Sequence, residues 1–76
     1  MILTVKIKDR KDAEQLVFAA SQIKRDVWIS STRGLFSAKS MLGLYSVLND
    51  SCCLIINDED YNDLAINLNN FDIFGF

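Results

Sequence analysis

Gly34-Leu35-Phe36-Ser37-Ala38-Lys39-Ser40-Met41-Leu42-Gly43-Leu44 is the stretch on which the reading of this chain turns. An extended run, Leu35 to Lys39, gives way at Ser40 to a short apolar segment with helical spacing, Ser40 to Leu48. Met41, Leu44, Tyr45 and Leu48 fall on one side of it. A serine at such a junction accepts a hydrogen bond from the free backbone N–H groups of the first helical turn. The same groups and the helix dipole favour a phosphate. Ser40 therefore reads as a cap or as a modifiable switch, and one residue can do both.

Upstream, Asp26 to Ser31 alternates, with Val27 and Ile29 opposite Trp28, and Thr32-Arg33-Gly34 turns the chain into the Leu35–Lys39 strand as a hairpin. If Val27 and Ile29 face the core, Trp28 lies on the open face of the sheet. At the start, Ile2 to Lys8 sets Leu3, Val5 and Ile7 against Thr4, Lys6 and Lys8, a strand with one buried side. Asp9-Arg10-Lys11 is a charged corner, and Asp12 with Gln15 has the form of a capping box. Ala13, Leu16, Val17, Ala20 and Ile23 then mark the inner stripe of a helix over about 11–22. Lys24 and Arg25 stand at its negative end.

Downstream, Asn49-Asp50-Ser51 is a turn, and Cys52 to Ile56 is a continuous apolar run of strand length whose inward side the pattern leaves open. Asn57 to Asp60 seeds a last helix over 60–69, striped by Tyr61, Leu64, Ala65 and Leu68. The apolar tail Phe71–Phe76 either packs back on the domain or forms a contact surface. The order β-α-β-β-α-β-α predicts an α+β fold, an open-faced two-layer sandwich with a four-stranded antiparallel sheet and three helices on one face.

At 76 residues, half of them hydrophobic, the chain is sized for a single domain with one core. A net charge of −2 and a pI near 4.8 argue against a nucleic-acid binder. The basic residues all lie between Lys6 and Lys39 while 50–72 is wholly acidic, which suggests one positive and one negative face. No apolar run has the length of a membrane span and no signal-peptide pattern opens the chain, so the expected compartment is the cytoplasm, with no membrane partner. Adjacent Cys52 and Cys53 would point to opposite faces of a strand, and both read as reduced.

The chemistry available is narrow. There is no histidine, which removes His-based acid–base catalysis, triads and most metal sites. The glycines are scattered, so no phosphate loop exists, and Asp58-Glu59-Asp60 with Asp63 lacks the spacing and glycine of a calcium loop. An enzyme is not expected, nor a cofactor or a metal.

Ser37-Ala38-Lys39-Ser40-Met41-Leu42-Gly43-Leu44 resembles the regulatory-serine segment of HPr, the small phosphocarrier of the bacterial sugar phosphotransferase system. There an S/G-K-S-I/L-M/F-G-type run opens a short second helix. The similarity extends back to about Asp9 and forward to about Asp60, and it implies the same open-faced sandwich. It breaks at the phosphorylated histidine, which the family carries in an L-H-x-R-P-A pattern at the start of the first helix. The aligned stretch is Lys8-Asp9-Arg10-Lys11-Asp12-Ala13, with Asp9 at the histidine's place, Lys11 at the arginine's and Asp12 at the proline's. In lacking the histidine and keeping the serine, the chain is similar to the catabolite-repression HPr paralogue of Gram-positive bacteria.

That resemblance implies phosphorylation of Ser40 by an HPr kinase, followed by docking to a transcription regulator of the catabolite-control type. Met41, Leu42, Leu44 and Tyr45 surround Ser40 and form the docking patch the family would use, with Leu42 the residue off the main stripe. Arg10, Lys11, Arg33 and Lys39 would supply a basic rim for an acidic partner or a phosphoserine. A different class of reading is an unswitched adaptor, monomeric or weakly dimeric, that binds through the Trp28 sheet face and the apolar tail. A third is a divergent phosphocarrier using an aspartyl phosphate on Asp9, for which no partner constellation is present.

Overall fold

The computed structural model describes residues 1–68, and the expectations for the tail and the last residues of the final helix fall outside that range. The elements follow as β1 (Ile2–Lys6), α1 (Arg10–Ser21), β2 (Trp28–Ser31), β3 (Gly34–Ser37), α2 (Met41–Tyr45), β4 (Ser51–Ile55), a 3-10 turn (Asp58–Asp60) and α3 (Tyr61–Asn67). The strands form one antiparallel sheet in the order β1-β4-β2-β3. This is the α+β open-faced sandwich that the element order predicts.

Alternation decides which side of each strand is wet. Val5 of β1, Ile29 of β2 and Cys52 and Leu54 of β4 are buried, whereas Thr4, Trp28 and Cys53 lie on the other side. The pairing Cys52↔Val5 resolves the β4 run: a strand bonded next to β1 must point its residues as its neighbour does. Against this inner face α1 lays Ala13, Leu16, Ala19 and Ala20, α2 lays Leu44, and α3 lays Leu64, with Ile7, Ile23, Val27, Ala38, Val47, Ile56 and Leu68 closing the core. The buried Cys52 thiol is pushed up in pKa by that burial, with Asp50 and Cys53 adding to the shift.

Helix α1 starts earlier than the expected Asp12–Gln15 box. Asp9 is the cap, its Oδ1 accepting from Asp12 N–H at 3.0 Å, while Asp12 Oδ2 accepts from Lys8 N–H at 3.1 Å. Two aspartates three apart thus bond backbone N–H groups in both directions along the first turn, a variant of a capping box in which the second side chain takes the N–H of Lys8, one residue before the cap. Asp12, only 8% exposed, is the buried charged side chain among the described residues.

Helix α2 is shorter than expected. One turn after Ser40 the regular bonding ends at Tyr45, so spacing stops predicting the inward side there. Val47, not Tyr45, reaches the core, and Leu48 is partly buried against it. The turn beyond is held by Asn49 at φ 67, whose N–H donates to Ile7 C=O at 2.7 Å. The two charge blocks of the sequence are not segregated onto opposite faces. Arg25 bonds Glu59 and Asp60 at 2.9 and 3.0 Å, and Arg33 bonds Asp50 at 3.0 Å, so the fold brings basic and acidic segments together. Arg25 is drawn to the 3-10 turn, and a cation from another segment, Lys39, donates from Nζ to Ile23 C=O at 2.6 Å just beyond the end of α1.

Candidate functional site

The candidate site is built on α2 and the start of α1. Ser40 has extended backbone angles and its Oγ accepts from Gly43 N–H at 3.2 Å, which makes it the N-cap of α2. Its side chain is at the surface, so the hydroxyl keeps a face toward solvent. The helix sits close to β3 because position 43 is glycine. A Cβ there would come within 3.1 Å of Phe36 Cβ, tighter than ordinary contact.

The expected docking residues separate by the direction they face. Leu42 is 81% exposed and Tyr45 is exposed, Met41 is half-buried against the core, and Leu44 is fully buried. Leu44 therefore anchors the helix and is withdrawn from any contact surface. Arg10 donates from Nε to Glu14 Oε1 at 2.9 Å. Glu14 first, then the neighbouring Tyr45 hydroxyl, hold the guanidinium further above its usual range. Tyr45, the last residue of α2, thus lies near Arg10 in the first turn of α1. Lys11 is exposed beside Arg10, and Asp9, Arg10, Lys11 and Glu14 line a shallow depression of about 470 Å³.

The basic rim does not close around Ser40. Lys39 is tied to Ile23 just beyond the C-terminal end of α1, whereas Arg10 meets Tyr45 at the N-terminal end. Helix α2 thus runs antiparallel along α1, and Ser40 lies toward the end of α1 that Arg10 and Lys11 do not occupy. Arg33 is committed to Asp50. The structure places Arg10 near Tyr45, leaves Leu42 outermost, and separates the bonded ends of Lys39 and Arg33 from them.

Asp9, at the place of the family's histidine, spends one carboxylate oxygen on the Asp12 N–H bond. No cluster of three or more His, Cys, Asp or Glu able to hold a metal occurs among the described residues. No helix among them is long and apolar enough to cross a membrane. Both cysteines are free thiols, Cys52 buried and Cys53 exposed. One exposed aromatic escaped the sequence reading: Phe18 of α1 is 56% exposed. Its signal was available, since it stands outside the stripe of Ala13, Leu16 and Ala20.

A scan against protein-family models finds no match, and none of the curated proteins matches the sequence. The functional reading therefore rests on the chain's own residues and on the serine-segment resemblance.

Proposed function

We propose that this chain is an HPr-like protein-binding module, without enzymatic activity or a phosphohistidine relay, that docks a partner through the outer face of α2 and the start of α1. Phosphorylation of Ser40 by an HPr kinase switches it, and the partner is a catabolite-control transcription regulator. The observation that carries the reading is the exposed Leu42 side chain two residues from an exposed, singly bonded Ser40 hydroxyl. Among the described residues Leu42 is the most exposed large apolar side chain, and with the exposed Tyr45 it gives the outer face of α2 an apolar surface that a partner could cover. Lys11 adds an exposed positive charge at one end of that face, Arg10 beside it being paired with Glu14, and this suits an acidic group on a partner.

Titration of the phosphorylated and unmodified chains against a purified catabolite-control regulator tests it. Binding confined to the phosphorylated form, weakened about tenfold or more in Leu42→Ala, is the expected result. Equal heats from both forms, or none from either, would remove the proposal.

A second reading has its own support. Ile2, Ile55 and Trp28 lie in register across β1, β4 and β2 on the open face of the sheet, with Trp28 37% exposed. That row is the surface of an unswitched adaptor. A partner that binds Ser40→Ala normally but loses Trp28→Ala would select it.

A further inference from the structure

The outer edge of β1, which no strand among the described residues covers, carries an inference independent of Ser40. In an antiparallel pair, residues alternate between exchanging both backbone bonds with the neighbour and pointing them away. The Met1 amino group donates to Ile56 C=O at 2.9 Å, and Ile56 N–H donates to Met1 C=O at 3.0 Å. Two residues on, the register sets Leu3 against Leu54 and then Val5 against Cys52, and Asn49 N–H closes the series on Ile7 C=O. The odd-numbered residues thus face β4. Ile2, Thr4 and Lys6 aim their N–H and C=O groups away from β4, and β1 is an edge strand of the sheet among the described residues. Such an edge is a template for another strand.

We propose that this edge pairs antiparallel with β1 of a second copy, about a two-fold axis through Thr4. That register sets Thr4 opposite Thr4 and Ile2 opposite Lys6 at both ends, each pair exchanging both bonds. Only outward-aimed residues meet, so no bond within either chain is broken. On the helix side, half-buried Leu3 comes opposite Val5 of the second copy, an apolar cross-strand pair.

Charge selects the occupant and its direction. Lys6 and Lys8 make one end of the strand cationic, while at the other end the Met1 ammonium is paired with Asp58 at 2.9 Å. Antiparallel pairing sets the cations of each copy at the charge-paired Met1–Asp58 end of its mate, and Lys6 meets Ile2, not another lysine. Parallel pairing would stack Lys6 on Lys6. The row Trp28–Ile55–Ile2 on the open face then continues onto the aliphatic stem of Lys6 of the second copy.

Sedimentation equilibrium of the full chain, from micromolar to millimolar, reads the association directly, and a monomer–dimer equilibrium is expected. Thr4 is exposed on the open face and its N–H bonds nothing in β4, so Thr4→Lys and Thr4→Glu keep the fold, as circular dichroism would check. Either alone sets like charges across the axis and weakens the dimer about tenfold, and an equimolar mixture of the two restores it as a heterodimer. In the wild type, the Ile2, Thr4 and Lys6 amides gain exchange protection as concentration rises. A wild type that stays monomeric throughout overturns the proposal. So does a dimer indifferent to both substitutions, or protection of those amides that does not change with concentration.

Discussion

Helices α1 and α2 begin with the same device and commit it differently. At the start of α1, Asp9 and Asp12 bond the backbone in both directions, and Asp12 is buried. At the start of α2, Ser40 makes a single bond to Gly43 N–H and remains exposed. The first junction commits an oxygen of each aspartate to the backbone, at the place where the resembling family has its histidine. The second needs little from its serine, because α2 is held mainly by what it packs against. A five-residue helix has no independent stability, and Leu44 in the core and Gly43 against Phe36 supply the tertiary support.

That contrast can be broken in graded steps. The largest effect belongs to Leu44→Ala, expected to cost about 2–5 kcal/mol in urea unfolding by opening a cavity under α2. The neighbouring Leu42→Ala should stay within about 0.5 kcal/mol, because its side chain is in solvent. Equal costs would mean that α2 is not oriented as described. Asp12→Ala comes next, at about 2 kcal/mol, since it strands the Lys8 N–H in a part-buried site. Asp9→Ala should cost about 1 kcal/mol, and Ser40→Ala about 0.5 kcal/mol, the low end for an exposed cap. Reversal of that order would show that the serine, not the aspartate pair, carries the structural load.

The cysteines give the smallest effects and a clear sign. A thiol reagent should label Cys53 in the native chain and reach Cys52 only on unfolding. Because the folded chain holds the Cys52 proton to higher pH than the unfolded chain, this group's contribution to stability is full below the ordinary thiol value of 9.0 and declines as pH rises past it. In Cys52→Ala that decline should be reduced, which denaturant midpoints at pH 8 and pH 10 would reveal.

Much of this was legible in the residues, and the misses share a cause. The alternation of Leu3, Val5 and Ile7 placed β1 correctly, because one side of an edge strand packs and the other is wet. Ser40 was legible as a cap because an extended run visibly gave way to a helical one there. The start of α1 was legible to within a residue, but its cap was misassigned because Asp9–Asp12 and Asp12–Gln15 carry similar local signatures, and the early end of β1 at Lys6 favours the first. Tyr45 and Val47 exchanged roles because helical spacing was extended beyond a helix of one turn. The inward side of Cys52–Ile56 needed a neighbouring strand to decide it. Arg25, Arg33 and Lys39 found partners 16 to 35 residues away in sequence, which no local pattern encodes. Of the docking patch, Leu42 was legible from its place off the stripe, whereas the withdrawal of Leu44 and the separation of Lys39 from Arg10 depended on how α2 lies along α1.

The proposed switch at Ser40 is tested most directly by intact mass after incubation with an HPr kinase and ATP, with Ser40→Ala alongside. The account predicts one added phosphate on the wild type and none on the variant. An unmodified wild type that is folded by circular dichroism, or a phosphate that Ser40→Ala also accepts, would contradict it and leave Ser40 as the cap of α2 alone.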